Sequence, residues 1–326
     1  MVPFRYERGR DVASVVTAAA RDPSAEFLAG GTDLLQLLKD DIRHPARLID
    51  LAGLADLDQI EAGPQGLRFG ALVKMSDAAD HPLVRKNYPM IAEALLASAS
   101  PQIRNMATIG GNLLQRTRCV YFRDHGTACN KREPGSGCGA INGENRLHAV
   151  LGGSAHCIAV HPSDLAVALV ALDAIVVTER PGGGRRIPIE SFYLQPGDTP
   201  DHENLLEPGE LIVAVEVPTL AYVQRSHYRK VRDRASFEFA LASAAVAVDI
   251  ENGMVRAARI ALGGVGTKPW RARDAEQELI GQAFAAASFE RAAAQAVAGA
   301  QAATQNGFKI SLAQRTVVRA LSQLKA

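Results

Sequence analysis

Four cysteines, Cys119, Cys129, Cys138 and Cys157, are the only thiols in 326 residues, and they lie together, spaced Cys-x9-Cys-x8-Cys-x18-Cys. Cysteines scattered for packing do not cluster in this way. The spacings are neither the Cys-x2-Cys pairs of zinc ribbons nor the compact run of bacterial ferredoxins. Three chemistries therefore stand open: two disulfides, a four-thiolate zinc site or an iron–sulfur cluster. Charge favours the cluster, which is an anion when held by four thiolates. Arg116, Arg118, Arg123, Lys131, Arg132 and Arg146 crowd the same segment, where positive charge and hydrogen-bond donors would raise its potential. Gly135, Gly137, Gly139, Gly143, Gly152 and Gly153 would let backbone amides point at inorganic sulfide.

Two glycine pairs, Gly30-Gly31 and Gly110-Gly111, form the other chemical pattern. A glycine pair at a strand-to-helix junction lets the backbone approach a ligand, and amides at a helix start favour a phosphate. A plain tight turn uses glycine equally well. Neither pair is followed by Gly-Lys-Ser/Thr and neither fits Gly-x-Gly-x-x-Gly, which sets aside P-loop and Rossmann nucleotide sites. Two such junctions, each followed by a hydrogen-bonding side chain, could clasp a pyrophosphate from both ends.

The elements that must position these residues alternate between strand and helix. Asp11–Ala20 reads as a helix with an Asp cap, Glu26–Ala29 as a strand, and Leu34, Leu35, Leu37 and Leu38 as a helical pattern after the first glycine pair. Further strands are expected at Arg47–Leu51, Leu57–Glu61 and Leu67–Val73, and a helix at Pro89–Ser98. From about Arg116 to His156 periodicity fails, and a structureless stretch of that length needs something to hold it. Periodicity returns with Ile158–Val160, and a helix at about Ser163–Leu172 and strands at Ile175–Glu179 and Leu211–Val217 follow, with Gly182-Gly183-Gly184 as a hairpin tip. After Thr219–Ser226 the character changes. A hairpin of Ala242–Ile250 and Val255–Leu262 turns at Glu251-Asn252-Gly253, followed by helices at Ala272–Ile280, Phe289–Ala303 and Leu312–Leu324.

Ala29-Gly30-Gly31-Thr32-Asp33-Leu34-Leu35 and Ala107-Thr108-Ile109-Gly110-Gly111-Asn112-Leu113 resemble the two FAD-binding loops of the medium, flavin-carrying subunits of the xanthine dehydrogenase and carbon monoxide dehydrogenase family. The likeness extends over essentially the whole chain. His161-Pro162-Ser163-Asp164 is similar to the family's third FAD contact, where an Asp binds ribityl or ribose hydroxyls. Tyr228-Arg229-Lys230 is similar to the stretch whose Lys approaches the pyrimidine edge of the flavin. Taken as residues alone, Asp164 could cap the helix starting near Leu165, and Lys230 could be a solvated strand charge. The resemblance implies FAD contacts from Ala29 to Leu34, from Thr108 to Asn112, and from Ser163, Asp164 and Lys230. It also implies an α+β chain. The FAD-binding domain would be of the two-part vanillyl-alcohol-oxidase (PCMH) type over 1–220, divided into 1–55 and 56–220 with the cysteine insert at about 115–157. A C-terminal α/β domain of the CO dehydrogenase flavoprotein type would fill 221–326. Gly263-Gly264-Val265 also resembles a family segment, with the glycines read as structural.

Most family members lack the insert, whereas periplasmic aldehyde oxidoreductases of enterobacteria carry it. Leu114-Gln115-Arg116-Thr117-Arg118-Cys119, Cys129-Asn130-Lys131-Arg132 and Pro134-Gly135-Ser136-Gly137-Cys138 resemble their flavin subunits. That likeness implies a [4Fe–4S] cluster on Cys119, Cys129, Cys138 and Cys157. It implies partners as well: a large subunit with the molybdenum cofactor that oxidises an aldehyde, a ferredoxin-like small subunit with [2Fe–2S] centres, and an external electron acceptor. An alternative is a stand-alone flavoprotein reductase whose insert holds zinc. No general acid or base is expected, since flavin chemistry is the cofactor's own. His44, His81, His148 and His227 read as surface or packing residues.

With 36 basic against 35 acidic side chains there is no field to attract nucleic acid or anionic membrane. The apolar stretches fall short of the ~20 residues of a membrane span. The N-terminus shows no apolar signal core, so a periplasmic location would require export on a signal-bearing partner, the alternative being cytoplasmic.

Overall fold

The first helix starts where the sequence provides a cap: the Asp11 carboxylate accepts from the Ser14 amide at 2.7 Å. The computed structural model describes residues 1–324. Strands β1 (Arg5–Arg8), β2 (Ala25–Leu28) and β3 (Arg47–Asp50) pair in parallel in the order β1-β3-β2. Parallel neighbours need crossovers, and the helix Val12–Ala20 supplies one, burying Val15, Val16 and Ala19 against Ile49, Leu51 and Leu54.

The second sheet is antiparallel and joins distant segments. It contains β4 (Ile60–Gly63), β5 (Gly66–Gly70), β6 (Ile175–Glu179), β7 (Arg185–Pro188) and β8 (Leu211–Pro218) in the order β4-β5-β8-β6-β7. Everything between β5 and β6, including both the second glycine pair and the cysteines, loops out of this sheet. The helix Asp164–Ala171 is apolar almost all round and correspondingly buried on every side. With Pro89–Ala97 it fills the largest core, beside Phe69, Phe192 and Val215.

The third sheet is β9 (Ser226–Val231), β10 (Ala242–Glu251), β11 (Met254–Gly263) and β12 (Trp270–Arg271), antiparallel in the order β12-β11-β10-β9. Asn252 and Gly253, with φ of 53° and 76°, make the tight turn of the expected hairpin. Strand β10 is buried on both faces. Ala245 and Ala247 join the core of the second sheet, while Ala244, Val246 and Val248 join that of the helices Arg273–Leu279, Ala286–Ala296 and Phe308–Ser322. Side chains of one carbon on the first of these faces let the sheet approach the helices of the largest core closely.

Some expectations shift. Leu57 ends a 3-10 turn, with the strand starting only at Ile60. Ile158–Val160, where periodicity returns, forms no regular element; the Ile158 carbonyl accepts from the Ala149 amide and the Val160 carbonyl from Thr117 Oγ1. The helix expected at Phe289–Ala303 runs Ala286–Ala296 and stops before Gly299, which has φ 78°. The last helix begins four residues early, at Phe308. The cysteine segment has two short helical turns, Val120–Arg123 and Gly139–Asn142, and an isolated bridge between Cys129 and Cys138.

Candidate functional site

The two glycine loops touch each other. A Cβ on Gly30 would lie 1.9 Å from the Met106 carbonyl oxygen, so only glycine lets the first loop meet the chain just ahead of the second. A Cβ on Gly110 would crowd Ala71 in the same way, 3.1 Å from its carbonyl oxygen. Gly31 is needed for its φ of 71°; its Cβ would meet Leu35 rather than the open space. Gly111 alone faces outward, with Thr108 Oγ1 at 2.9 Å as the sole neighbour of an added Cβ. Ala29–Leu34 and Thr108, Gly110, Gly111 and Asn112 line one cavity of ≈ 820 Å³, and Asp164 and Lys230 line its far side. Ile109 does not reach it, because its side chain is wholly buried in the core.

The loops offer different donors. Among the described residues nothing accepts from the amides of Gly31, Thr32, Asp33 or Leu34, a run of free N–H groups suited to phosphate oxygens. The amides of Ile109 and Gly110 donate instead to the carbonyls of Val73 and Ala71 at 2.9 and 2.8 Å, and that of Gly111 donates to Thr108 Oγ1 at 3.2 Å. Free amides were expected at both junctions. At the second, the strand edge and the cap residue use them.

At the far side, Asp164 Oδ2 accepts from Lys230 Nζ at 2.7 Å and from Ser98 Oγ at 3.0 Å, and Oδ1 accepts from Tyr228 OH at 2.6 Å. Tyr228 and Lys230 are two apart on β9 and so share one face. Lys230 is buried and paired rather than a solvated strand charge. Nor does Asp164 cap its helix: Ser163 Oγ accepts from the Ala166 amide at 3.0 Å and donates to Asn112 Oδ1 at 2.6 Å. Ser163 thus stands behind the cavity wall and ties the second loop to the third segment. Burial and the Asp164 charge hold the Tyr228 hydroxyl well above the ordinary tyrosine range, so it stays a donor. Ser98 and Tyr228 are parts of this arrangement that motif reading alone does not mark.

Asp33 turns its carboxylate away from the cavity toward the cysteine segment. Oδ2 accepts from the Arg116 amide at 2.8 Å, and Oδ1 pairs with Arg118 at 2.8 Å and Arg123 at 3.2 Å. The other insert cations are also engaged: Arg116 and Lys131 with Glu203, Arg146 with Asp233, and Arg132 with the carbonyls of Tyr121 and Phe122. Their density reflects loop tethering as much as any anion they surround.

Cys119, Cys129, Cys138 and Cys157 all line one small pocket. None is in a disulfide, and among the described residues no three His, Cys, Asp or Glu groups converge closely enough for a single metal ion. Burial pushes the Cys119 thiol up to about 12 and raises Cys157, so both are neutral thiols unless a metal draws off the proton. His148 Nε2 lies 3.2 Å from Cys119 Sγ. Sequence reading made it a surface or packing residue; it is buried, and burial with the nearby Lys309 charge pushes it down to about 4.

A cavity of this size, bounded by two glycine loops, the first with free amides, and by a buried lysine–carboxylate pair, has the features of a site for a long phosphorylated cofactor. Residues 2–220 match the family described as FAD binding domain in molybdopterin dehydrogenase, and 226–324 match CO dehydrogenase flavoprotein C-terminal domain. The chain belongs to this family, the FAD-binding subunits of molybdenum hydroxylases. It is 48% identical to the aldehyde oxidoreductase FAD-binding subunit of Escherichia coli (strain K12), over 100% of this chain and 99% of that protein. It is 28% identical to the carbon monoxide dehydrogenase medium chain of Hydrogenophaga pseudoflava, over 99% and 98%. A solved structure of carbon monoxide dehydrogenase from that organism superposes with a TM-score of 0.78 at 28% identity, covering 99% of this chain and 98% of the other. The protein is therefore an oxidoreductase subunit whose cofactor is FAD. No described helix is long and apolar enough to cross a membrane.

Proposed function

We propose that the chain is the FAD- and [4Fe–4S]-binding electron-transfer subunit of a heterotrimeric, molybdenum-dependent aldehyde oxidoreductase. It would receive electrons from [2Fe–2S] centres of a small subunit and pass them to an external acceptor. The observation that carries the cluster is the convergence of all four thiols on one pocket, none of them in a disulfide. The insert's own apolar core supports the same reading by its smallness: Phe122 sits on Leu37 and Ile42, with Cys119 and Cys129 beside it. So little burial does not offset the chain entropy of ordering such a segment, whereas metal–thiolate bonds would. The aldehyde substrate is supported by the name of the 48% identical relative.

FAD, when bound, supplies the redox chemistry. The free amides after Gly31 would hold its pyrophosphate, and Gly111 leaves room for it. Asp164, held in place by three donors, would present acceptor oxygens to sugar or ribityl hydroxyls, with Lys230 beside it. The molybdenum and [2Fe–2S] partners would be separate chains, and export to the periplasm would ride on a partner's signal.

Iron, sulfide and zinc analysis of the wild type beside the four Cys→Ser variants tests the cluster. About four irons and four sulfides per chain are expected; one zinc, or two disulfides by native mass spectrometry, would sink it. Aldehyde turnover by this chain alone, without molybdenum, would refute the division of labour. Deleting the partner's signal should leave this subunit in the cytoplasm, and its appearance in the periplasm regardless would refute co-export.

A further inference from the structure

We infer that His148 donates a hydrogen bond to the Cys119 ligand of the cluster and thereby raises the cluster's reduction potential; the inference rests on the [4Fe–4S] reading above. The Nε2···Sγ distance is 3.2 Å. Among the described residues it is the only side chain hydrogen-bonded to any of the four sulfurs; the other donors are backbone amides, those of Phe122 and Tyr121 toward Cys119 and that of Ala159 toward Cys157 at 3.4 Å. A thiolate only accepts, so the bond exists when the proton is on Nε2. Nδ1 is buried without a partner, so no competing bond draws the proton there.

The main chain at His148 is also held in place from outside the insert. The His148 carbonyl accepts from Lys309 Nζ at 3.0 Å and Asn306 Nδ2 at 3.3 Å, both at the last helix of the C-terminal domain. The His148 amide donates to the Asn145 carbonyl at 2.9 Å, and Asn145 is bonded in turn to Thr304 and Gln305. The C-terminal domain thus fixes the main chain that carries a ring whose Nε2 is aimed at a ligand sulfur, a placement that packing alone does not require. The insert's cations are committed to carboxylates and carbonyls, which leaves this N–H as the directed side-chain donor. Such a bond strengthens as negative charge accumulates on the sulfur, so it favours the reduced cluster. A tenfold preference for the reduced form corresponds to 59 mV in a one-electron couple.

The test is an EPR-monitored redox titration of the assembled complex, following the signal that disappears in Cys129→Ser. His148→Phe keeps the ring volume without the donor and should titrate lower by about 59 mV, the shift of a tenfold preference. His148→Gln retains a more flexible donor and should fall between it and the wild type. A loaded His148→Phe protein at wild-type potential overturns the inference while leaving the cluster intact; a wild type without iron and sulfide defeats the cluster reading itself. If the Phe variant empties, the Gln variant decides, and an unchanged potential there overturns the inference. If both empty, the imidazole is structural and the inference fails.

Discussion

Asp33→Ala should loosen the cysteine insert and weaken FAD retention together. Asp33 sits in the loop whose neighbouring amides face the cavity, yet its carboxylate holds the Arg116 amide at 2.8 Å, Arg118 at 2.8 Å and Arg123 at 3.2 Å. A hydrogen bond to a charged group contributes about 1.5–3 kcal/mol, and three would give about 4.5–9 kcal/mol if fully buried. Two facts reduce this. The guanidiniums keep 27% and 15% of their exposure and can be partly hydrated, and Arg123 retains Asp40 at 3.4 Å while Arg118 stays over the Phe239 ring. A net loss of about 3 kcal/mol remains, roughly a hundredfold in the population of the loosened insert. Hydrogen exchange by mass spectrometry over residues 116–157 should show that loss, and FAD dissociation should quicken in the same variant. Undiminished protection with unaltered FAD release would refute the coupling. Loss of protection with unaltered FAD release would show that the loop keeps its shape without the tether.

Gly30→Ala should destabilise the fold, because its Cβ meets a backbone oxygen, whereas Gly111→Leu should fold normally and lose FAD, because its side chain enters the cavity; equal melting temperatures in the two variants would contradict this. Lys230→Met strips a buried partner from Asp164, for which about 3–5 kcal/mol is usual. Tyr228 and Ser98 still donate, so a loss near 3 kcal/mol is expected as a lower urea midpoint at unchanged slope. Burial, and then the Arg146 charge, push Lys309 down to about 7. Between there and its ordinary value the unfolded chain binds the extra proton, so stability rises with pH across that window; Lys309→Met should flatten the rise in urea titrations at successive pH values.

What could be read from the sequence depended on whether a residue acts through its neighbours in the chain. Asp11 caps its own helix, Asn252-Gly253 turns its own hairpin, and the apolar run after Ser163 becomes a buried helix. Boundaries slipped where local preference is flat: alanine-rich Ala286–Ala296 ends well before Ala303, since alanine carries helix propensity but no directional stop. At the site, the glycine pairs were visible as glycines but not as two different glycines. One of each pair admits a facing backbone, and that depends on Met106 and Ala71 approaching from other segments. Ser98, Tyr228 and His148 stayed hidden for the same reason, each acting on a residue far along the chain.

The insert itself is tied at both ends to what it adjoins. Asp33 fastens its start to the first glycine loop, and Lys309 and Asn306 fasten its end, at His148, to the C-terminal domain. Around the cysteines its apolar interior is Phe122, with Leu37 and Ile42 beneath, while Val150 and Leu151 pack into the C-terminal core. A segment with so small an apolar core around its middle would transmit position if that middle were cross-linked, and in the proposed reading the four thiols around one pocket would do that. The flavin loop and the C-terminal helix are then held through the cysteines, so a change at the pocket is expected to reach the first glycine loop through Arg116, Arg118 and Arg123 rather than through the second loop, although the second lies nearer in sequence.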